Sequence, residues 1–282
     1  MFEVGFVFAI IVGNKYAIIR RSQKVMQRNK ERQDMVMDME LLHRFRENGL
    51  VKNNLHTAKT EHLGAPPIQK AYPQDAELIP LPEPDFLEDH QVSFLELMEL
   101  RATVRDYSQQ PLTMKELSYL LWCTQGVKMV LQGGATKRTV PSAGARNAFE
   151  TYLYIDKVEG LTPGIYRFLA VEHALLPVEL GDEVKEKLAA GFNKVNMYRQ
   201  AAVTFMWAAV LERMEYAFGG RALQYLYIDA GHVCQNLYLA GYTIDVGVCA
   251  IGHFNDTELN DLLGLDGEQE FVVYAAHAGK NK

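Results

Sequence analysis

The spacing of hydrophobic residues predicts both helices and strands. Four segments repeat apolar residues at helical spacing, and these are SFLELMELR (93–101), MKELSYLLWCTQG (114–126), DEVKEKLAAGF (182–192) and RALQYLYIDAGHVCQNLYLAGY (221–242). Four others have the apolar pattern of strands, and these are FETYLYI (149–155), GIYRFLA (164–170), AAVTFMWAAV (201–210) and EFVVYAAHAG (270–279). The two kinds of element interleave without a strict β-α-β order and without internal repeats. We therefore expect an α+β fold rather than a doubly wound sheet.

The first 20 residues form an apolar segment with several interpretations. FEVGFVFAIIVG is interrupted by Asn14 and Lys15 and continues as YAII, which together approach the roughly 20 residues of a spanning helix. Glu3 precedes the apolar run and the basic residues follow it, the reverse of a secretory signal. Residues 2–19 are interpreted as a membrane anchor that leaves the rest of the chain in the cytoplasm, as a packed or partner-bound helix, or as a non-native leader.

The remaining chain divides into three parts. Residues 21–63 are rich in charge, and the apolar positions within 22–50 predict an amphipathic helix that ends at Asn48-Gly49. Residues 64–92 contain GAPPIQKAYPQDAELIPLPEP, whose prolines exclude a long helix and a central strand. We expect an extended connector over the surface there. Residues 93–282 hold all eight predicted elements and form the main domain.

Composition and charge narrow the class of protein. The 282 residues are 48% hydrophobic and carry a net charge of -6, which is ordinary for a soluble globular chain and gives no basic field for nucleic acid. The three cysteines, Cys123, Cys234 and Cys249, are widely spaced in apolar surroundings. We interpret them as reduced core thiols of a cytoplasmic chain, and we predict no metal site.

The common catalytic motifs are absent, and arginines beside small residues remain. The sequence has no GxSxG, GxxxxGK[ST] or HExxH motif and no GxGxxG after a predicted strand. In RATVRDYS, Arg101 and Arg105 are four residues apart at the end of a predicted helix, so their guanidinium groups would converge around Thr103. Such a pair suits a phosphate. The alternative is that both pair with nearby carboxylates on a solvated helix end.

The stretch RTVPSAGAR (138–146) offers a second half-site. Pro141 fixes one backbone dihedral angle, and Gly144 permits unusual ones. Ser142 and Ala143 are small enough for a planar ring to approach the backbone. These features suit a flavin, and the alternative is a plain turn that leads into a strand.

Seven sequence blocks occur in the order seen in the FMN-dependent nitroreductase superfamily. They are RATVRDY, KELSYLLWCTQG, RTVPSAGARNAFETYL, GIYRF, GGRALQYLYIDAGHVCQNLYLAG, VGVCAIGHF with LNDLLGL, and VVYAAHAG. The chain resembles this superfamily over residues 93–282, and most closely its SagB-type dehydrogenases, which include azoline oxidases of thiazole and oxazole peptide biosynthesis. The resemblance implies a nitroreductase-like fold with a mostly antiparallel central sheet flanked by helices. It also implies a homodimer with two FMN sites at the subunit interface.

The resemblance further implies which residues contact FMN. The phosphate and ribityl chain would be held by Arg101, Ala102, Thr103 and Arg105, with Lys280 as a further phosphate cation. The isoalloxazine ring would be lined by Pro141, Ser142, Ala143, Gly144, Ala250, Ile251, Gly252 and His253. A backbone amide of the 250–253 loop would donate to flavin N5 and so stabilise the reduced ring. The flavin carries the chemistry, and His253 either faces the substrate or lies in the core.

Several residues of the same region depart from the family pattern or have a structural interpretation. Ala217 and Phe218 replace the lysine and tyrosine of azoline oxidases, and neither can move a proton, so azoline oxidation by that route is not expected unless Tyr216 or Glu215 substitutes. Asp245 stands where a glycine is usual, and it either alters the loop around the flavin or marks a turn toward solvent. On the long predicted helix, His232 and Asn236 are interpreted as satisfied interior polar groups, and Arg221 matches a recurrent family arginine.

The sequence therefore predicts an FMN-dependent oxidoreductase. We expect it to take hydride from NAD(P)H and to reduce a small electrophilic acceptor such as a nitroaromatic or a quinone. One alternative is a SagB-type dehydrogenase that acts on a peptide-derived ring with a partner protein. Another is a flavin-binding scaffold subunit without turnover.

Overall fold

A computed structural model describes residues 57–84, 92–131, 135–192 and 199–282. The strands of these ranges are β1 (Ile79–Pro80), β2 (Val127–Val130), β3 (Thr136–Arg138), β4 (Phe149–Ile155), β5 (Gly164–Leu169), β6 (Ala174–Leu180), β7 (Val203–Val210), β8 (Val246–Ile251) and β9 (Glu270–Lys280). The helices are α1 (Phe94–Leu100), α2 (Met114–Gln125), α3 (Glu183–Gly191), α4 (Leu211–Phe218), α5 (Ala222–Thr243) and α6 (Asp256–Leu263).

Seven of these strands form one sheet in the order β1-β6-β5-β4-β7-β9-β8. Every neighbouring pair in it is antiparallel. The prediction of an α+β fold with a mostly antiparallel central sheet is confirmed. Strand β8 is at one edge of the sheet, and the hairpin of β2 and β3 stands apart from it.

Helices cover both faces of the sheet, because alternate residues of the central strands point to opposite sides. In β4, Leu153 and Ile155 belong to the core under α2, α4 and α5. Tyr152 and Tyr154 belong to a second core under α3 and α6. All residues of β4 and β7 are buried, which explains why their sequences read as nearly continuous apolar runs.

The region after α1 differs from the prediction. Helix α1 ends at Leu100, and Arg101 already has non-helical angles of φ -53° and ψ 119°. The predicted helical convergence of Arg101 and Arg105 is therefore wrong. The chain from Arg101 to Tyr107 runs extended instead, because Val104 pairs with the edge of the sheet and the Tyr107 side chain is buried.

The described residues of the proline-rich connector, 64–84, contain no helix and one short strand, β1. Buried arginines donate to its backbone carbonyls, and these contacts are Arg213 Nε to Pro67 O at 2.7 Å, Arg138 Nη2 to Ile68 O at 3.5 Å and Arg167 Nη2 to Ala71 O at 3.0 Å. The later part pairs as the short edge strand β1 with β6. The connector is thus hydrogen-bonded to the domain along much of its length.

The apolar segment 2–19 and the helix predicted over 22–50 lie outside the described residues. Both remain predictions, as do the domain boundaries given above. Within the described ranges, no helix combines the length and the apolar character needed to cross a bilayer.

Candidate functional site

The segment that carries Arg101, Thr103 and Arg105 lies along the edge of the sheet. Val104 donates its backbone N–H to the Val248 carbonyl of β8 at 2.9 Å, which sets the register of the segment. A Cβ atom on Gly247 would be 2.6 Å from the Val104 side chain, so the close approach requires glycine there. This docking leaves Arg105 exposed and Arg101 half-buried.

Tyr238 of α5 joins this segment to the end of β8. Its hydroxyl accepts the Ala250 backbone N–H at 2.8 Å and lies 3.3 Å from the Thr103 hydroxyl. The guanidinium carbon of Arg101 is 5.4 Å from the centre of the Tyr238 ring, a cation–π contact. Three residues predicted for the FMN site therefore meet at one side chain.

The loop after β8 presents its backbone to solvent. The Ala250 N–H is taken by Tyr238, and Ile251 pairs with Ala275 of β9. Strand β8 ends at Ile251, and the alternation of amide directions in an edge strand, if continued by one residue, would direct the Gly252 amide away from the sheet. Gly252 and His253 are exposed, so of the two interpretations of His253 the core position does not apply.

The 141–147 turn is anchored to α5 by a buried carboxylate. The Ser142 hydroxyl donates to Asp229 Oδ2 at 2.6 Å, and the Ala143 N–H lies 3.2 Å from both oxygens of the same carboxylate. The turn is tight, since Gly144 and Ala145 both have φ of +54°. The Ser142 hydroxyl proton is thus committed to Asp229, and the exposed backbone around Gly144 is what the turn offers a ligand.

Asp229 itself is only 3% exposed. Burial raises the pKa of its carboxyl group, and the hydrogen bond from Ser142 opposes that shift. His232 Nδ1 lies 3.9 Å from Asp229 Oδ1, but the His232 side chain is 45% exposed, so its predicted interior position is wrong. The position falls on the solvent face of α5. Asn236 fits the prediction, because its Nδ2 donates to the Cys123 carbonyl at 2.9 Å.

The two half-sites contact the same helix at different places. Asp229 and Tyr238 are nine residues apart, which corresponds to about 14 Å along the axis and to two and a half turns. They therefore flank the buried face of α5 on opposite sides.

Lys280 occupies a different environment from the one predicted. Its Nζ lies 2.5 Å from Glu116 Oε1 and 3.0 Å from the Ile244 carbonyl. Both side chains of this ion pair are largely buried. The Lys280 charge is thus already balanced by a carboxylate of α2, so the structure gives its proposed phosphate contact no support.

The structure shows the contacts of two residues that depart from the family pattern, Phe218 and Asp245. The Phe218 ring centre is 4.5 Å from that of Tyr225, and a Cβ atom on Gly144 would come within 3.0 Å of Phe218 Cζ. Phe218 therefore covers the turn with an apolar ring. Asp245 is exposed, has φ of +57° and accepts from Asn281 Nδ2 at 2.8 Å, so it marks a turn toward solvent.

The three cysteines are free in the structure. Cys234 and Cys249 are buried and Cys123 is half-buried. Burial raises the pKa of Cys234 to about 12, so that thiol stays protonated at neutral pH. Among the described residues, no three His, Cys, Asp or Glu side chains are grouped so that they could hold a metal ion.

Sequence reasoning missed Tyr238 and Asp229, which organise the two half-sites. A lone acid in the largely apolar run ALQYLYIDAGHV was a usable signal for Asp229, because a buried carboxylate requires partners. Tyr238 gave no such signal, since a tyrosine on a buried helix is commonly a core residue.

An antiparallel sheet between two layers of helices agrees with the nitroreductase fold. Residues 98–280, more than half of the chain, match the family described as the nitroreductase family. The chain therefore belongs to the nitroreductase family.

Individual relatives agree with this assignment. The chain is 33% identical over 165 residues to a candidate nitroreductase of Methanocaldococcus jannaschii, an overlap of 58% of this chain and 81% of that protein. It is 23% identical over 171 residues to the trifolitoxin-processing protein of Rhizobium leguminosarum biovar trifolii, an overlap of 58% of this chain and 46% of that protein. The crystal structure of a candidate nitroreductase from Ralstonia eutropha JMP134 superimposes with a TM-score of 0.61 and 26% identity, covering 78% of this chain and 99% of that one.

Proposed function

We propose that this protein is an FMN-dependent oxidoreductase that takes hydride from NAD(P)H and reduces a small electrophilic acceptor, such as a nitroaromatic or a quinone. Membership of the nitroreductase family supports the oxidoreductase class. The observation that carries the proposal is the meeting of Arg101, Thr103 and the Ala250 backbone at Tyr238.

The residues at this meeting point fit the polar end of FMN. Arg101 and Arg105 supply guanidinium groups, which form strong hydrogen bonds with phosphate oxygens. Thr103 and Ala102 are exposed beside them and can contact the phosphate and the ribityl chain. The segment is held rigidly by the Val104–Val248 hydrogen bond, so little ordering is needed on binding.

The ring of the flavin fits two exposed stretches of backbone. Pro141 and Gly144 are exposed on the tight turn that Asp229 anchors, and Gly252 is exposed after β8. When bound, FMN supplies the two-electron carrier. The Gly252 N–H would donate to flavin N5 in place of the Ala250 N–H, which Tyr238 already occupies.

A homodimer is part of the proposal. Because Asp229 and Tyr238 flank α5 on opposite sides, we place each flavin where two copies of the chain meet and use one half-site from each copy. The solvent face of α5 exposes Tyr227 by 55% and Ile228 by 46%, which supports its use as the contact surface.

The residues around the proposed position of the flavin ring favour hydride transfer without an acid–base side chain from α4. Phe218 places an apolar ring against the turn at Gly144. The exposed His253 is placed to contact the acceptor. The three cysteines without a disulfide support a reducing, cytoplasmic location for this domain.

Titration of FMN into the full chain, followed by quenching of flavin fluorescence, tests the proposal. Replacing Arg105→Gln removes one exposed guanidinium from the phosphate half-site, and we expect the Kd for FMN to rise about tenfold. Lys128→Gln is the control, because Lys128 is an exposed cation of the β2–β3 hairpin. Equal Kd values for Arg105→Gln and the unchanged chain would show that the phosphate binds elsewhere.

The second candidate is a SagB-type dehydrogenase that acts on a peptide-derived ring with a partner protein. The similarity to a trifolitoxin-processing protein favours it. Ala217 and Phe218 count against azoline oxidation, since neither moves a proton. Consumption of NAD(P)H with a nitroaromatic acceptor selects the first candidate, and turnover of a ring-containing peptide without NAD(P)H selects the second. A chain that binds FMN and does neither is the scaffold subunit.

A further inference from the structure

A cavity of about 140 Å³ lies between the connector and the outer side of the 141–147 turn. Its wall is formed by Lys59, Ala65, Pro66, Pro67, Ile68, Ala135, Ala145, Arg146, Arg213 and Tyr216. None of the residues assigned above to FMN lines it. The cavity is therefore separate from the flavin half-sites, although Ala145 and Arg146 belong to the same turn.

The wall of this cavity carries three cationic side chains and no carboxylate. Arg146 is held in place, since its Nε donates to the Gly144 carbonyl at 3.0 Å and its guanidinium carbon is 5.6 Å from the centre of the Tyr216 ring. Lys59 is positioned by its backbone N–H, which donates to the Tyr216 carbonyl at 2.9 Å. The Arg146 guanidinium is thus held beside the cavity, and the exposed Lys59 side chain adds a second cation to its wall.

The third cation, Arg213, has an unused donor. Its side chain is only 4% exposed, and it donates to Glu150 Oε1 at 2.6 Å and to the Pro67 carbonyl at 2.7 Å. Its buried Nη1 has no hydrogen-bond partner within the described part of the chain. A buried donor without an acceptor is costly, and Arg213 also lines the cavity, so the wall holds a cation whose hydrogen-bonding capacity is not fully used by its described partners.

Glu150, the carboxylate that pairs with Arg213, is shared with other donors. Glu150 also accepts the Lys70 N–H at 2.6 Å and lies close to a second buried guanidinium, that of Arg138. Arg138 donates mainly to the neutral Gln125 side chain, at 2.8 Å. Two buried guanidinium groups therefore share one carboxylate, which leaves an excess of positive charge next to the cavity.

We propose that this cavity is a binding site for a small oxyanion, namely a phosphate or carboxylate group of a small molecule. Arginine side chains bind both groups through directed N–H donors, and Lys59 adds a charge at the mouth of the cavity. A water molecule occupies about 30 Å³ in the liquid, so a cavity of about 140 Å³ has room for a small oxyanion together with water. Occupancy would tie the segment that precedes the connector to the turn through Lys59 and Arg146.

Isothermal titration calorimetry on the full chain tests this site. Sodium phosphate and, separately, sodium acetate are titrated in the presence of excess FMN, with sodium chloride of equal ionic strength as the reference. We expect saturable binding of at least one oxyanion, and the tighter of the two identifies the group that is recognised. Arg146→Gln and Lys59→Gln should each raise its Kd at least fivefold, whereas Lys137→Gln, an exposed cation on the neighbouring strand β3, should leave it unchanged.

Three results would overturn the proposal. The first is that neither oxyanion gives more heat than chloride. The second is that Arg146→Gln and Lys59→Gln bind as tightly as Lys137→Gln. The third is that phosphate binds only without FMN and that Arg105→Gln abolishes this binding, because the ion would then occupy the flavin half-site. A chain that fails to bind FMN still allows the titration, so the two proposals fail separately.

Discussion

Tyr238 shows how a single side chain can organise a site that the sequence reveals only in pieces. Its hydroxyl serves the Ala250 N–H and the Thr103 hydroxyl, and its ring supports Arg101. The sequence indicated Arg101, Thr103 and Ala250 through the order of family blocks. It did not indicate Tyr238, because the contacts that distinguish it from a core tyrosine come from other segments. Thr103, for example, is more than a hundred residues away in the sequence.

Replacing Tyr238→Phe should weaken FMN binding. The change removes the acceptor of the Ala250 N–H but keeps the ring under Arg101, so we expect about a fivefold rise in the Kd for FMN, equivalent to about 1 kcal/mol. Fluorescence titration measures it. Tyr72→Phe, which removes a tyrosine hydroxyl that donates to the exposed Glu172 and lies outside the proposed flavin and dimer surfaces, is the matched control and should bind FMN as the unchanged chain does. If both variants bind equally, Tyr238 has only a structural role.

At the level of elements, periodicity identified the long helices and the buried strands. All eight predicted segments are present, with ends shifted by a few residues. They were predictable because helices buried on one face and strands buried on both faces leave distinct patterns of apolar residues. The remaining elements, which are β1, β2, β3, β6, α4, β8 and α6, were not predicted. ALLPVEL contains a proline within β6, and VGVCAI follows an irregular turn at Asp245, so neither had a clear local signal.

The helix predicted to continue through RATVRDY was wrong for a different reason. Local spacing favoured helical continuation to Arg105, but Val104 gains a hydrogen bond to Val248 and Tyr107 gains a buried site by leaving the helix. The glycine at 247 that permits this approach is distant in sequence. Such tertiary preferences override helix propensity and cannot be read from the segment alone.

The attachment of the connector to the domain should depend on Glu150. This buried carboxylate accepts from Arg213 and from the Lys70 N–H, so Glu150→Gln leaves a guanidinium buried without its counter-charge. We expect the free energy of unfolding to fall by about 3–5 kcal/mol, measured by urea denaturation. Glu172→Gln is the control, because Glu172 also binds the connector, through Gln69 and Tyr72, but is exposed and should cost about 0–1 kcal/mol. Similar losses would mean that burial of the Glu150 pair contributes little.

On the scale of the whole molecule, the proposed flavin site requires two copies of the chain. Ile228→Glu places a charge on the exposed face of α5 and should convert the dimer into a monomer in sedimentation velocity. FMN affinity should fall with it, because each flavin would lose one half-site. Val178→Glu, on the exposed side of β6, is the control and should remain dimeric. A monomeric variant with unchanged FMN affinity would place the whole flavin site in one chain.

The most direct test of the central claim is an anaerobic absorbance scan of the purified full chain with FMN, before and after addition of NADH or NADPH. The proposed function predicts a protein-bound flavin band at about 450 nm. The band bleaches when the nicotinamide is added and returns when a nitroaromatic or quinone is added afterwards. A bound flavin that stays oxidised would contradict the NAD(P)H-linked function. A chain that binds no FMN would contradict the flavin site built on Arg101, Arg105 and Tyr238.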